Sequence, residues 1–413
     1  MAALLVVTFL ARTAITSVVT ALTMYVVVGL ELSYAAAGGA AAALTIGLAL
    51  GGPLLGRMLD RRGLRTVLLV TVAVQAVFWL SVTVLTYEAL LGAAFAAGLL
   101  MVPAQPVTRQ AITAMTTVQQ RRSAFALESV QGELSYMVGP AVVILGVALM
   151  SPGVVIGVVG GAIVTGGAVM ALLDPPLRAV GDVDSASSGR RPRREWLGVR
   201  MMAVLLMAFG TTTLLSGVDL AVIATLEEAG QVSRAAVVVA VLGMTSVVGG
   251  LVYGRLSVAP PVWLLLGLLG LTTIPVGLAR DWLWLCVAVV GTGFLAAPTL
   301  SAVTEAVSRL APVAVRGEAT GLQSSAQSAG FALGSPIVGG ALDAFAPAGG
   351  FAVAGLAGCA AALTGWLLTR RSLRGGHSGR PHIEAVARGT SVRRHGRCRA
   401  PRGAAHRGGL RDP

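Results

Sequence analysis

Lysine is absent from the 413 residues, cysteine occurs three times and histidine four times. Each scarcity removes a class of chemistry. Without lysine there is no G-x-x-x-x-G-K-[ST] phosphate loop, so transport driven by ATP within this chain is excluded. Cys286 and Cys359 lie in apolar stretches and Cys398 near the end, a pattern that gives neither a disulfide framework nor metal-ligand spacing. His377, His382, His395 and His406 all follow the last apolar stretch, so no imidazole site is expected inside the apolar part. Charged residues make up 12% of the chain, against about 25% in ordinary soluble domains. That is too few to cover a water-facing surface, and it rules out a soluble enzyme. No cofactor, metal or catalytic residue is expected, and the chain is not expected to be an enzyme.

What is present is apolar length. Hydrophobic residues make up 55% of the chain, mean hydropathy is +0.81, and apolar runs long enough to cross a bilayer recur from end to end. Breaks at charges, glycine and proline place spans at 3–28, 34–57, 65–87, 89–116, 124–150 and 153–173. A second set falls at 199–226, 234–256, 261–279, 282–308, 317–343 and 349–369. The expected fold is an all-α polytopic membrane protein with 12 transmembrane helices and the lipid bilayer as its solvent. The first stretch has no basic n-region or small-residue cleavage site, and Arg12 interrupts it, which argues against a cleaved signal peptide. Its short lead-in before Arg12 is also what a truncated start would give.

Arginine sets the orientation, because cytoplasmic loops retain basic residues. Fifteen arginines, from Arg57 to Arg316, fall in the even-numbered loops, and Arg234 and Arg280 alone fall in the odd ones. Both termini are therefore expected in the cytoplasm. Of the formal charge of +13, the segment from Arg370 onward supplies most, with 12 Arg against Glu384 and Asp412. It lacks the interleaved aromatics of a nucleic-acid binder, so no nucleic acid is expected as a partner. Residues 370–413 read as an Arg-rich disordered tail beside the membrane. The stretch 174–198, with Pro175-Pro176, a Ser-rich run and the basic run Arg190 to Arg194, reads as a cytoplasmic linker. It joins six-helix bundles at 1–173 and 199–369.

These halves repeat each other. A shift of 195 to 198 positions brings Gly51-Gly52 and Gly56-Arg57 onto Gly249-Gly250 and Gly254-Arg255, and Gly98 with Pro103 onto Gly293 with Pro298. Ala124, Leu127, Ser129 and Gly139 fall likewise on Ala319, Leu322, Ser324 and Gly334. Parallel six-helix repeats imply two bundles about an axis along the membrane normal, with substrate held between them near the midplane.

Between the second and third spans stands Gly56-Arg57-Met58-Leu59-Asp60-Arg61-Arg62-Gly63-Leu64-Arg65. It resembles the G-x-x-x-D-R-x-G-R loop of the major facilitator superfamily (MFS), matching at Gly56, Asp60, Arg61 and Gly63, with Arg65 one place off register. The resemblance covers about residues 1 to 370 and implies the twelve-helix fold of two bundles. It also implies that this loop latches one conformation; alternatively, its arginines only anchor topology. A second family feature, the antiporter pattern G-x8-G-x3-G-P-x2-G-G, is degenerate in the fifth span. It is nearly complete in the eleventh, at Gly321, Gly330, Gly334-Ser335-Pro336 and Gly339-Gly340. Export follows if the pattern carries its family meaning, and close helix packing if it does not.

Charges at bilayer depth cost roughly 2.5–3.5 kcal/mol each and usually face a cavity or a partner. The candidates are Arg12, Arg109, Glu128, Glu133 and Asp219, with Glu305 nearer the cytoplasmic rim. Depth and opposite charge pair Arg12 with Glu133 and Arg109 with Glu128. A carboxylate alternating between an arginine and an apolar setting takes up and releases a proton. Glu133, Glu128 and Asp219 are therefore the proton-coupling candidates, and a permanent ion pair is the alternative.

In the resembled family the first, fourth, seventh and tenth spans line the cavity. There the substrate-site candidates are Arg12, Thr16 and Thr20; Gln105 and Arg109; Thr212, Ser216 and Asp219; and Glu305. Pro103 and Pro106 are expected to bend the fourth span. The sequence thus reads as a proton-coupled secondary transporter exporting a small organic or drug-like molecule. It would work as a monomer in a bacterial inner membrane. The alternatives are an importer of a sugar, amino acid or organic anion, and a non-transporting scaffold or sensor.

Overall fold

The structure is a computed structural model and describes residues 2–177, 193–231, 234–256 and 258–375. No strand occurs among the described residues, as expected where lipid offers no partner for backbone N–H and C=O groups. The first span, Ala2–Met24, ends in a π-helical turn, Tyr25–Gly29. The second is Tyr34–Arg62 and the third Leu64–Ser81, while the fourth comes in two pieces, Tyr87–Leu99 and Ala104–Met115. Val118–Leu149 and Pro152–Leu173 complete the first half. The second half holds Val199–Glu228, Ala235–Arg255, Val262–Thr273 with a 3-10 turn Ile274–Leu278, and Trp282–Leu310.

The eleventh and twelfth spans share one hydrogen-bonded run, Arg316–Gly375. Gly350 nevertheless lies against Leu342 and Val338, residues that a straight helix would hold about 12 Å and 18 Å away. Gly217 of the seventh span has Val338 and Ala354 together beside it. The run therefore doubles back between 342 and 350 and crosses twice. Among the described residues, ten segments are individually long and apolar enough to span a membrane, and Val262–Leu278 is a shorter apolar helix. The eleventh span is more polar because Gln323 and Gln327 face the protein interior. The molecule is an all-α polytopic membrane protein with twelve transmembrane helices in two six-helix bundles.

Local chemistry sets the boundaries. Thr117 and Gln120 form a capping box that starts the fifth span, and Asp281 accepts from the Trp284 N–H at 2.9 Å to start the tenth. Gly63, at φ +81°, separates the second and third spans in a backbone conformation that side chains resist. Pro103 sits at the interruption of the fourth span, which stops at Leu99 and restarts at Ala104. The carbonyls freed there do not stay bare: Gln75 Nε2 donates to Ala97 O at 2.8 Å and Leu100 O at 3.3 Å, and Trp79 Nε1 holds Gln75 Oε1 at 2.9 Å.

Each half has its own apolar core, one built from residues between Ala11 and Ala171, the other from residues between Trp196 and Ala362 joined by Ala126. Leu80, Val84, Leu172 and Leu278 point outward, as lipid-facing side chains do. The internal repeat reappears as contact geometry. A methyl on Gly51 would strike the Leu99 carbonyl, and one on Gly249 the Phe294 carbonyl; Gly98 meets Leu44 O as Gly293 meets Leu242 O. All four pairs are related by the shifts read from the sequence, so equivalent helices touch backbone to backbone in both halves.

Of the expected linker, Arg193–Trp196 forms one helical turn with Trp196 buried in the second core. Residues 178–192, and the tail beyond Gly375 with its histidines and Cys398, lie outside the described residues.

Candidate functional site

A cavity of about 380 Å³ lies between the two halves, within the size range that encloses small-molecule ligands. Its floor is a charged cluster from three spans. Arg12 Nη1 donates to Glu128 Oε1 at 2.6 Å, and Arg109 Nε stands 3.6 Å from Glu128 Oε2. Gln105 turns its amide oxygen to the two guanidinium groups, accepting from Arg109 Nη2 at 2.7 Å and Arg12 Nη2 at 3.1 Å. Gln327 of the eleventh span accepts from Arg109 Nη1 at 3.4 Å, tying the cluster to the second half. Arg109 and Glu128 are both buried, whereas Arg12 keeps part of its side chain in the cavity.

The expectation from depth alone is corrected at one pair. Arg12 bonds Glu128 rather than Glu133 and so shares one carboxylate with Arg109. Gly132 makes this route available, since any Cβ there would collide with the Arg12 guanidinium. Glu133, further along the fifth span, feels the Arg12 charge but forms no salt bridge with it. It shares the cavity wall with Asp219 of the seventh span, and the two carboxylates act on each other electrostatically. Tyr136 donates its hydroxyl to Asp219 Oδ2 at 3.4 Å and packs edge-on against Phe331, ring centroids 5.6 Å apart.

Arg12, Thr16, Gln105, Arg109, Thr212, Asp219, Glu128 and Glu133 thus all line one cavity. Thr20, Ser216 and Glu305 are not part of its wall. Ser216 is spent on packing, bonding Phe331 O at 2.9 Å and Ser335 Oγ at 2.8 Å. Glu305 sits near the Arg-rich end between Arg122, at 3.7 Å, and Arg309, and accepts from Tyr253 at 3.1 Å. The fifth, eighth and eleventh spans contribute Tyr136, Ser246, Gln327 and Phe331, residues that sequence reading missed by looking only to the first, fourth, seventh and tenth. Their signal was available as polar and aromatic side chains interrupting apolar faces. The tenth span contributes only Ala296 and Leu300 to the wall.

On the Arg-rich side the halves close against each other. Beyond Arg109 the space narrows to about 10 Å³ among Gln110, Thr113 and Ser308, roughly one water's worth, and Thr113 bonds Ser308 across it at 3.1 Å. Ser301 similarly meets Ser129 at 2.8 Å.

At the surface Asp60 accepts two backbone N–H bonds, from Gly317 at 2.9 Å and Glu318 at 2.8 Å. These N–H groups belong to the first turn of the Arg316 helix, which has no intrahelical partners to give them. Gly56 lets the second span reach the Gly317 carbonyl. Glu318, buried, then takes Arg57 at 2.8 Å and Arg193 at 2.6 Å. Arg61 and Arg65 are exposed at the surface, and Gly63 shapes the turn between them. Arg57, Glu318 and Arg193 are contact residues that the signature did not single out.

A family model described as the Major Facilitator Superfamily matches residues 4–279 and again 221–402. Comparison with curated proteins gives no match. Among solved structures, the chain is similar to the human organic anion transporter MFSD10 (TETRAN), at 16% identity over 88% of this chain and 97% of that one, with a TM-score of 0.67. It is also similar to a bacterial homologue of the iron transporter ferroportin in an outward-facing state, at 14% identity over 89% and 98%, TM-score 0.68. A third likeness is to the proton:xylose symporter XylE, at 13% identity over 88% and 94%, TM-score 0.64. These similarities establish a common fold, and with the family match over most of its length the chain belongs to the major facilitator superfamily of membrane transporters.

Proposed function

We propose that the protein is a proton-coupled secondary transporter that exports a small organic or drug-like molecule by alternating access. The observation that carries this reading is the cavity itself: a space of about 380 Å³ between two repeated bundles, floored by Arg12, Arg109 and Glu128 and walled by Glu133 and Asp219. Buried charge of this kind is costly in a membrane and is retained where it works on a ligand or ion. With the Arg-rich face in the cytoplasm of a bacterial inner membrane, the present conformation is closed inward and open outward, with both termini cytoplasmic. The Asp60 contact is then the inward latch, and rocking the bundles apart there exposes the cavity to the other side. The protein acts as a monomer, its parts being contained in one chain.

Proton coupling falls to Glu133 and Asp219, which form no salt bridge with arginine, ahead of Glu128, which is paired with both Arg12 and Arg109. Rocking changes what each carboxylate faces, and with it its hold on a proton. The test is flux in proteoliposomes under an imposed pH gradient. An exporter working by exchange accumulates substrate against inward proton flow, and Glu133→Gln is expected to lower gradient-driven flux at least ten-fold. Flux by that variant with undiminished proton dependence removes Glu133 from the mechanism. A second reading, import of an organic anion, draws on the exposed part of Arg12; it gives the opposite sign of accumulation.

A further inference from the structure

The identity of the cargo is constrained by how the charges in the cavity are spent. Arg109 is 3% exposed and enclosed by Glu128, Gln105 and Gln327, so no ligand reaches it without dismantling the cluster. Arg12 gives its strongest bond to Glu128. The carboxylates of Glu133 and Asp219, by contrast, have no cation bound, and the Tyr136 hydroxyl meets Asp219 only at 3.4 Å. Counting Arg12 and Arg109 against Glu128, Glu133 and Asp219, the cavity carries one formal negative charge in excess. Like charges in a restricted apolar space invite a counter-ion.

The same wall carries an aromatic surface. Tyr136 and Phe331 are 41% and 40% exposed and meet edge to face, so each leaves ring area open in the cavity. Ring faces attract cations, more so when both are desolvated. Ser246 of the eighth span is buried in the same wall and turns its hydroxyl toward Glu133, a second polar group from the opposite half. Glu133 and Tyr136 come from the first half, and Asp219, Ser246 and Phe331 from the second. A ligand seated here bridges the two moving bodies.

Resting on the reading of this cavity as the transport site, we propose that the cargo is a lipophilic aromatic monocation. Its charge is held between Glu133 and Asp219, and its ring rests on Tyr136 and Phe331. One positive charge brings the cavity to formal neutrality, which an anion or neutral sugar does not.

The test is equilibrium binding of tetraphenylphosphonium to the purified full-length protein in detergent, without any gradient. Wild type is expected to bind it, with Kd raised at least ten-fold in Asp219→Asn and in Glu133→Gln, largely restored in Asp219→Glu, and raised several-fold in Tyr136→Leu. Thermal unfolding of each variant separates lost binding from lost fold, and Glu133→Gln with Asp219→Glu carry the test if Asp219→Asn is unstable. The proposal is overturned if wild type does not bind tetraphenylphosphonium, or if both carboxamide variants bind as wild type does. It is overturned equally if 2-naphthalenesulfonate binds instead in a manner that Arg12→Gln abolishes. Binding with the expected dependence but no flux under a pH gradient upholds the cation site while removing the proton-coupled reading.

Discussion

The second span meets the start of the eleventh, and the eighth meets the start of the fifth, at positions that the repeat makes equivalent. Gly52 and Gly56 approach Gly321 and Gly317; Gly250 and Gly254 approach Ala126 and Ser123. The approach is shared but the fastening is not. At the first contact Asp60 binds a helix N-terminus, a carboxylate at the positive end of a dipole. At the second, Ser123 donates to Gly254 O at 2.7 Å and Arg122 to Leu256 O, so donors bind a helix C-terminus instead. The reason is where each helix begins. The eleventh span starts at Arg316 and presents free first-turn N–H groups to Asp60, whereas the fifth starts one turn earlier, at Val118, with its own cap at Thr117. A duplicated scaffold can therefore be fastened at either pole of a helix, and a shift of one turn decides which.

The largest test of this comparison exploits the unequal room at the two crossings. In Gly56→Ala the new methyl meets the Gly317 backbone and is expected to cost about 1–3 kcal/mol, while in Gly254→Ala it finds Ala126 Cβ at 3.1 Å and costs under about 1 kcal/mol. Thermal unfolding in detergent ranks the two, and equal losses would break the distinction. Next, Asp60→Asn should weaken the first contact by about 1.5–3 kcal/mol, the worth of a bond to a charged group. Spin labels at Arg61 and Arg255 would report the opening as longer distances. Val258→Asp, which writes the missing acid into the second loop, should leave the same distances unchanged because no free N–H awaits it; a shortened distance would refute the helix-start explanation.

A smaller effect is expected for Arg122→Gln, about 1 kcal/mol, since Glu305 keeps Arg309. The least is Arg193→Gln, whose side chain is half exposed. Solvent screening holds it to a few tenths of a kcal/mol, and the difference from wild type should vanish in high salt.

Much of the architecture was legible because its causes are local. Apolar length and the 195–198 shift both act along the chain, and the signature loop placed Gly56 and Asp60 at a contact. The partners were not legible in the same way. Glu128 and Glu133 differ by five residues, about 7.5 Å in depth, which is within the reach of an arginine side chain, so depth did not choose between them. Rotation about the helix axis and the space above Gly132 did. Glu318 escaped notice because an acid at a helix start looks like ordinary charge placement until the opposing helix is in view. Tyr136 and Phe331 stood out as aromatic side chains on the fifth and eleventh spans, but an aromatic residue on a membrane helix reads equally well as facing lipid, so the sequence did not assign them to the cavity.

The interruption of the fourth span has a further consequence. In a continuous helix the azimuth of every side chain is inherited from upstream, and one inserted residue would swing Arg109 through about 100°. Here Gln75 and Trp79 stitch up the gap and Ala104 starts a fresh rod. The heading of Arg109 is thereby uncoupled from residues 87–99, so the packing of that upper segment against the second span can drift over evolutionary time while the guanidinium keeps its aim.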